Sequence, residues 1–120
     1  MNVKIDTKER FSVIIPEESS ITANMSEILQ EILYSFLEKT IPHVILSLTQ
    51  IKSLDEPAAK MIISVQNQFY EKNCSFVICE VADNIKPLFE ESMNVTPTES
   101  EAWDILQMEE IERELMKDFD

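Results

Sequence analysis

The residues with the most chemical promise are Asp55-Glu56-Pro57-Ala58, two acids and a proline placed where an apolar strand hands over to a helix. A helix N-terminus leaves backbone N–H groups without intrahelical partners, so α/β domains often receive phosphate or meet partners at such a junction. Here the junction brings its own negative charge. Three uses stay open: receiving an anion, imitating a phosphate, or neither. In the last case Asp55 caps the helix, and Glu56 is a first-turn acid favoured by the helix dipole by about 0.3–1 kcal/mol. Asp55 could also cap the helix and face a partner at the same time.

Other chemistry is thin. His43, the sole histidine, follows Pro42 at the start of a strand with no Ser or Cys motif beside it, which fits a structural or solvent-facing role. The acid pairs Asp55/Glu56, Glu90/Glu91 and Glu109/Glu110 lack a His–carboxylate arrangement, and adjacent helical residues point in different directions. No metal site and no cofactor are expected. Cys74 and Cys79 are separated by an odd number of positions, hence on opposite strand faces, and read as buried thiols of a reducing compartment. Glycine is absent from the chain. Its absence removes the phosphate loop, the dinucleotide fingerprint, the nucleophile elbow and the calcium loop, and leaves positive-φ turns to Asn or Asp. An enzyme is the least supported class.

The elements that must position these residues are legible in the periodicity. Val3, Ile5 and Thr7, then Phe11, Val13 and Ile15, alternate with other residues as two short strands joined near Lys8-Glu9-Arg10. Met25, Ile28, Leu29, Ile32, Leu33, Phe36 and Leu37 mark a helix over 22–39, with Asn24 and Thr22 as competing caps. Residues 43–49 read as a buried strand. Residues 57–71 read as a helix with Ala58, Met61, Ile62, Val65 and Phe69 on one face and Pro57 at its first position. A strand follows over Ser75 to Val81, then a short helix at Ile85, Leu88 and Phe89, and a minimal strand at Met93-Asn94-Val95. Thr98 and Glu101 have capping-box spacing and open the last helix. Strands alternating with helices imply an α/β fold, a mixed sheet with helices packed on it.

This order, with its punctuation, resembles the STAS domain, the fold of bacterial anti-sigma factor antagonists. The family pattern is an apolar strand, a polar step, an apolar residue, then Asp-Ser-Ser/Thr-Gly and a helix. Ile45-Leu46-Ser47-Leu48 matches the strand, and Ile51 and Leu54 match the apolar positions before the motif. Asp55 falls on the family Asp, Glu56 on the serine that members phosphorylate, Pro57 on the second hydroxyl residue and Ala58 on the glycine. Val81 to Pro87 and Thr98-Glu99-Ser100-Glu101-Ala102-Trp103 resemble later steps of the pattern. The resemblance implies a STAS-like mixed sheet of 4–5 strands with about four helices. It also implies a protein partner, an anti-sigma factor or histidine-kinase-like ATPase domain, docking around Ser53, Asp55, Glu56, Pro57, Ala58 and Lys60. With no hydroxyl at the acceptor position, the usual phosphorylation switch is not expected there. Glu56 carries one charge where phosphoserine carries about 1.5–2.

The chain has 120 residues and a net charge of −13, which opposes nucleic-acid phosphates and anionic membranes and suits a basic protein surface. No apolar run approaches the ~20 residues of a membrane span, and Met1-Asn2-Val3-Lys4-Ile5-Asp6 offers no export signal, so a cytoplasmic location is expected and the sequons at Asn24, Asn73 and Asn94 are chance matches. In the last helix Ala102, Ile105 and Leu106 share one face, whereas Met108, Ile111, Leu115 and Phe119 lie on a rotated stripe. A domain over 1–107 with an acidic helical extension over 108–120 is therefore expected; the extension either packs on a second copy as a homodimer or on another partner, or is part of one wide stripe or a frayed tail. Three functions follow: a regulatory protein-interaction module, a scaffold acting through the last helix, or a carrier of a small apolar ligand.

Overall fold

A computed structural model describes residues 1–117. Among these residues seven strands form two sheets: Val3–Thr7 (β1), Ser12–Pro16 (β2), Val44–Ser47 (β4), Phe76–Cys79 (β6) and Val95–Thr96 (β7) lie in that order in the main one, and Ser20–Ile21 (β3) and Ser53–Leu54 (β5) form the other. β1 (Val3–Thr7) and β2 (Ser12–Pro16) are the antiparallel hairpin that the alternation predicts, closed by Lys8 N–H donating to the Phe11 carbonyl at 2.8 Å. β4 (Val44–Ser47), β6 (Phe76–Cys79) and β7 (Val95–Thr96) run parallel to β2. The sheet is thus mixed.

The parallel strands are buried on both faces, and alternate residues feed two cores. Ile14, Val44, Leu46, Phe76 and Ile78 face α1 (Ala23–Ser35) and α2 (Glu56–Glu71), meeting Leu29, Leu33, Ile62, Val65 and Phe69. Val13, Ile45, Val77 and Cys79 face α3 (Glu99–Lys117) and meet Ala102 and Leu106. Cys74 belongs to the first core and Cys79 to the second, and both are free thiols.

Three of the expected details change. The short helix at Ile85–Phe89 is a single 3₁₀ turn over Lys86–Phe89, because Pro87 contributes no N–H and the chain must turn back by Asn94 to form β7; three α-helices result rather than four. Ile28 is 48% exposed on the outer side of α1. Positive φ falls on Asn73, as expected, but also on Glu80, at 59°. That conformation costs a non-glycine residue about 1–2 kcal/mol. It is offset because the Glu80 carboxylate accepts the Glu99 N–H at 3.1 Å and so caps α3, alongside Thr98 Oγ1, which accepts from the Glu101 N–H at 3.2 Å.

Gln66 ties α2 to the starts of the last two strands of the sheet. Fully buried in α2, it donates to the carbonyls of Phe76 and Asn94 at 2.9 and 3.1 Å and accepts from Ser92 Oγ and Met93 N–H at 2.6 and 3.2 Å. A buried amide is tolerable only when satisfied in this way. Gln66→Leu keeps the volume but orphans several partners, each worth about 1–3 kcal/mol. Urea unfolding should show a loss of about 3 kcal/mol; a loss below about 1 would mean that the network is not structural.

Candidate functional site

The segment ahead of the motif is pinned before the helix begins. β3 (Ser20–Ile21) and β5 (Ser53–Leu54) pair in parallel as a small second sheet, matching Ser20 with Ser53 and Ile21 with Leu54. Asp55 N–H donates to the Ile21 carbonyl at 3.2 Å. Each of these strands leads directly into a helix, β3 into α1 and β5 into α2, so the two helix N-termini lie side by side.

Asp55 bridges them. It is the N-cap of α2, with Oδ1 accepting the Ala58 N–H at 3.1 Å, while Oδ2 accepts the Ala23 N–H of α1 at 2.7 Å. The first helix is capped from a distant residue, and neither Thr22 nor Asn24 supplies a side-chain cap there. Glu56 and Pro57 then occupy the first turn, where the proline needs no N–H. Helical geometry points Glu56 outward, and its carboxylate meets Lys60 Nζ one turn on at 3.0 Å.

Not every expected contact residue is on this surface. Ser53, Glu56, Pro57 and Lys60 are exposed and Asp55 is half-buried. Ala58 is fully buried in the core beneath α2, so it offers a partner nothing directly; its small side chain lets the helix approach the sheet. Beside the exposed group lies a cleft of about 250 Å³ between α2 and the 3₁₀ turn, floored by Ile63, Pro87 and Leu88 and rimmed by Glu56, Lys60, Glu90 and Glu91. Sequence periodicity gave no sign of this cleft, because Ile63 sits off the main α2 stripe and the acid pair comes from a different element. Asn84, just before the 3₁₀ turn, donates to the Lys52 carbonyl at 3.0 Å and so ties that segment to the chain ahead of the motif.

The remaining candidates fall elsewhere. α3 continues without a break past Gln107 to Lys117, so no change of structure marks that position. Its distal half is bonded inward: Glu109 accepts from Tyr70 and Asn94 at 2.9 and 3.3 Å, Glu110 pairs with Arg10, and Arg113 donates to Ser75 Oγ at 2.7 Å. Met108, Ile111 and Leu115 face the other way and are 61, 57 and 54% exposed. Phe119 lies outside the described residues. Among the described residues no cluster of His, Cys, Asp and Glu could hold a metal, and no helix is long and apolar enough to cross a membrane. Burial pushes the Cys79 thiol up to about 12, which suits packing rather than nucleophilic chemistry.

The geometry now has relatives to be set against. A family model described as the STAS domain matches residues 2–101. The chain belongs to the STAS domain family. Its fold matches TM1081 of Thermotoga maritima, described as an anti-sigma factor antagonist, with a TM-score of 0.78 at 13% identity over 88% of this chain and 94% of that one. It matches a serine-to-glutamate variant of RsbS from Moorella thermoacetica with a TM-score of 0.72 at 15% identity, over 89% and 96% of the two chains. It also matches part of the murine anion transporter Slc26a9 in its inward-facing state, with a TM-score of 0.69 at 12% identity, covering 82% of this chain and 18% of that one. At these identities the likeness concerns the STAS fold alone. Among curated proteins none matches significantly.

Two measurements test the site. Because Asp55 caps two helices, each cap worth about 1 kcal/mol, Asp55→Ala should cost about 2 kcal/mol in chemical unfolding, whereas Glu56→Ala should cost less than about 0.5. Equal small effects would remove the double cap. His43 accepts the Ser75 N–H through Nδ1 at 3.0 Å, and burial, reinforced by the Arg113 charge, lowers its pKa below the ordinary 6.5. The unfolded chain therefore takes up a proton first as pH falls. The stability that neutral His43 contributes is complete above 6.5 and is lost as pH drops through its folded pKa. NMR of this single imidazole should give a midpoint below 6.5; a midpoint at or above that value would contradict the buried neutral ring.

Proposed function

We propose that this STAS domain is a non-enzymatic, regulatory protein-binding module of the anti-sigma factor antagonist kind. Its docking face carries a fixed carboxylate, Glu56, where relatives carry a phosphorylatable hydroxyl. One observation carries the proposal: Asp55 binds both helix N-termini and thereby leaves Glu56 and Lys60 exposed beside an apolar cleft with acidic residues on its rim. The face consists of Ser53, Glu56, Pro57 and Lys60, extended by Ile63 and Leu88. Its complement is a protein surface presenting an apolar tip among basic residues, which the net charge of −13 also attracts. An anti-sigma factor or a histidine-kinase-like ATPase domain is the partner class that the family suggests. Binding is set by the amount and state of the partner rather than by phosphorylation of position 56.

A second reading, a scaffold acting through α3, is favoured by its outer stripe of Met108, Ile111 and Leu115. Affinity capture from the source cell separates the two, followed by binding measurements on the purified partner. The double variant Glu56→Ala with Glu90→Ala, which removes two acids from the rim, should weaken binding about tenfold or more, equivalent to about 1.4 kcal/mol. Met108→Gln with Ile111→Gln should leave it unchanged. The reverse pattern supports the scaffold, and a partner indifferent to both removes both surfaces. Asp55 variants are unsuitable for this purpose because they disturb two helices. In cell extract the natural chain should take up no phosphate at position 56, whereas Glu56→Ser restores an acceptor for any kinase that still recognises the loop.

A further inference from the structure

The two edges of the main sheet are unequal. β7 ends one side with two residues, Val95 and Thr96, too short to recruit another chain. β1 ends the other with five residues, Val3 to Thr7, and Ile5 at its centre is 49% exposed. The ladder to β2 fixes which backbone groups are used. Lys8 N–H donates to the Phe11 carbonyl and Glu17 N–H to the Asn2 carbonyl, so the even-numbered residues of this segment bond inward. The N–H and C=O groups of Val3, Ile5 and Thr7 therefore point out of the sheet edge.

We propose that this edge is a self-association surface, on which β1 of a second copy pairs antiparallel about a two-fold axis through Ile5. The register follows from the sequence Val3-Lys4-Ile5-Asp6-Thr7. With Ile5 opposite the second copy's Ile5, Val3 lies opposite its Thr7, and Lys4 lies opposite its Asp6. Every outward backbone group then falls in a hydrogen-bonded pair, which exchanges both N–H···O bonds. The charged residues fall in the intervening non-bonded pairs, where side chains come closest, and each is matched with its opposite charge. A shift of the register by two residues places Lys4 opposite Lys4 or Asp6 opposite Asp6.

The apolar side is equally suited. Ile5 borders a groove of about 490 Å³ whose other walls include Ile32, Phe36, Ile41 and Lys39, and no acid lines it. Ile41 is itself 41% exposed. Pairing brings the two Ile5 side chains together on this side, covering the groove from both copies and producing a continuous ten-stranded sheet, twice the five strands of one chain. None of Ser53, Glu56, Pro57 or Lys60 lines the groove, so both docking faces stay free. The stripe on α3 is a poorer self-association surface, because Glu112 and Glu114 flank it and would meet like charges.

A charge-swap cycle in the full chain tests the register, with sedimentation velocity as the readout at fixed salt. The natural chain should dimerise. Lys4→Asp alone and Asp6→Lys alone should each raise the dimer dissociation constant about tenfold or more, since each puts like charges opposite one another at two symmetry-related places. The double variant should recover the dimer. A circular dichroism spectrum unchanged in the single variants shows that the strand is still folded. A chain that stays monomeric at all concentrations overturns the proposal, as does a dimer that both single variants leave intact, or one that Ile111→Lys abolishes instead. A monomer that retains an apolar ligand in native mass spectrometry also overturns it, assigning the groove to that ligand.

Discussion

The carboxylate of Asp55 is the constraint on which the rest of the molecule is arranged. Two helix N-termini converge where β3 and β5 end, each carrying about half a positive charge and unpaired N–H groups. Brought together without an anion, they would repel one another and leave donors unsatisfied. One oxygen for Ala58 and one for Ala23 removes both costs. It also fixes how α1 and α2 start over the same face of the sheet, and hence where Leu29, Leu33, Ile62 and Val65 enter the core. The exposure of Glu56 is a consequence: it is the residue after the cap, and the geometry of the first turn leaves it no inward direction.

The same logic of a polar anchor beside an apolar face recurs around the sheet. Gln66 ties α2 to the turn before β7, Glu80 ties the end of β6 to the start of α3, and Arg113 ties the distal part of α3 to the start of β6. α3 shows the division most plainly. Ala102 and Leu106 pack on Val13, Ile45, Val77 and Cys79, and Trp103 meets Phe11 edge to face at 4.8 Å. Beyond them the inward face is polar, with Glu109, Glu110 and Arg113 in place of apolar groups, and the later apolar residues Met108, Ile111, Leu115 and Met116 turn to solvent.

Sequence pattern revealed what repeats. The β1–β2 alternation, the buried run at Val44–Ser47 and the stripes of α1 and α2 all extend over several residues, so periodicity marks them and with them the mixed sheet. What it missed consists of single residues acting at a distance. The pairing of β3 with β5 involves two residues on each strand, too few to show a period. Asp55 reads locally as the cap of one helix, and its bond to Ala23, 32 positions away, depends on that unseen pairing. The shortened third helix turned on one proline, and the left-handed Glu80 on one bond to Glu99. The cleft beside Glu56 combines Ile63 from α2 with Leu88 and Glu90 from the next segment, so only the tertiary fold assembles it.

Electrostatics limits how far Glu56 can stand in for a phosphate. A phosphoserine there would add about 1.5–2 negative charges and three acceptor oxygens, more than Lys60 could balance. Glu56 adds one charge, and Lys60 meets it at 3.0 Å across one helical turn, so the local sum is close to neutral. Such an exposed pair contributes only a few tenths of a kcal/mol and is screened by salt. A partner that approaches can therefore break it cheaply and take up either member. The negative field of the face then comes less from Glu56 than from Glu90 and Glu91 across the cleft. A partner suited to this chain would have to match an acidic rim around an apolar floor, which is a property of shape and distributed charge rather than of one modified side chain. On the proposed reading, a carboxylate at position 56 offers no reversible step, and recognition falls to the surrounding surface.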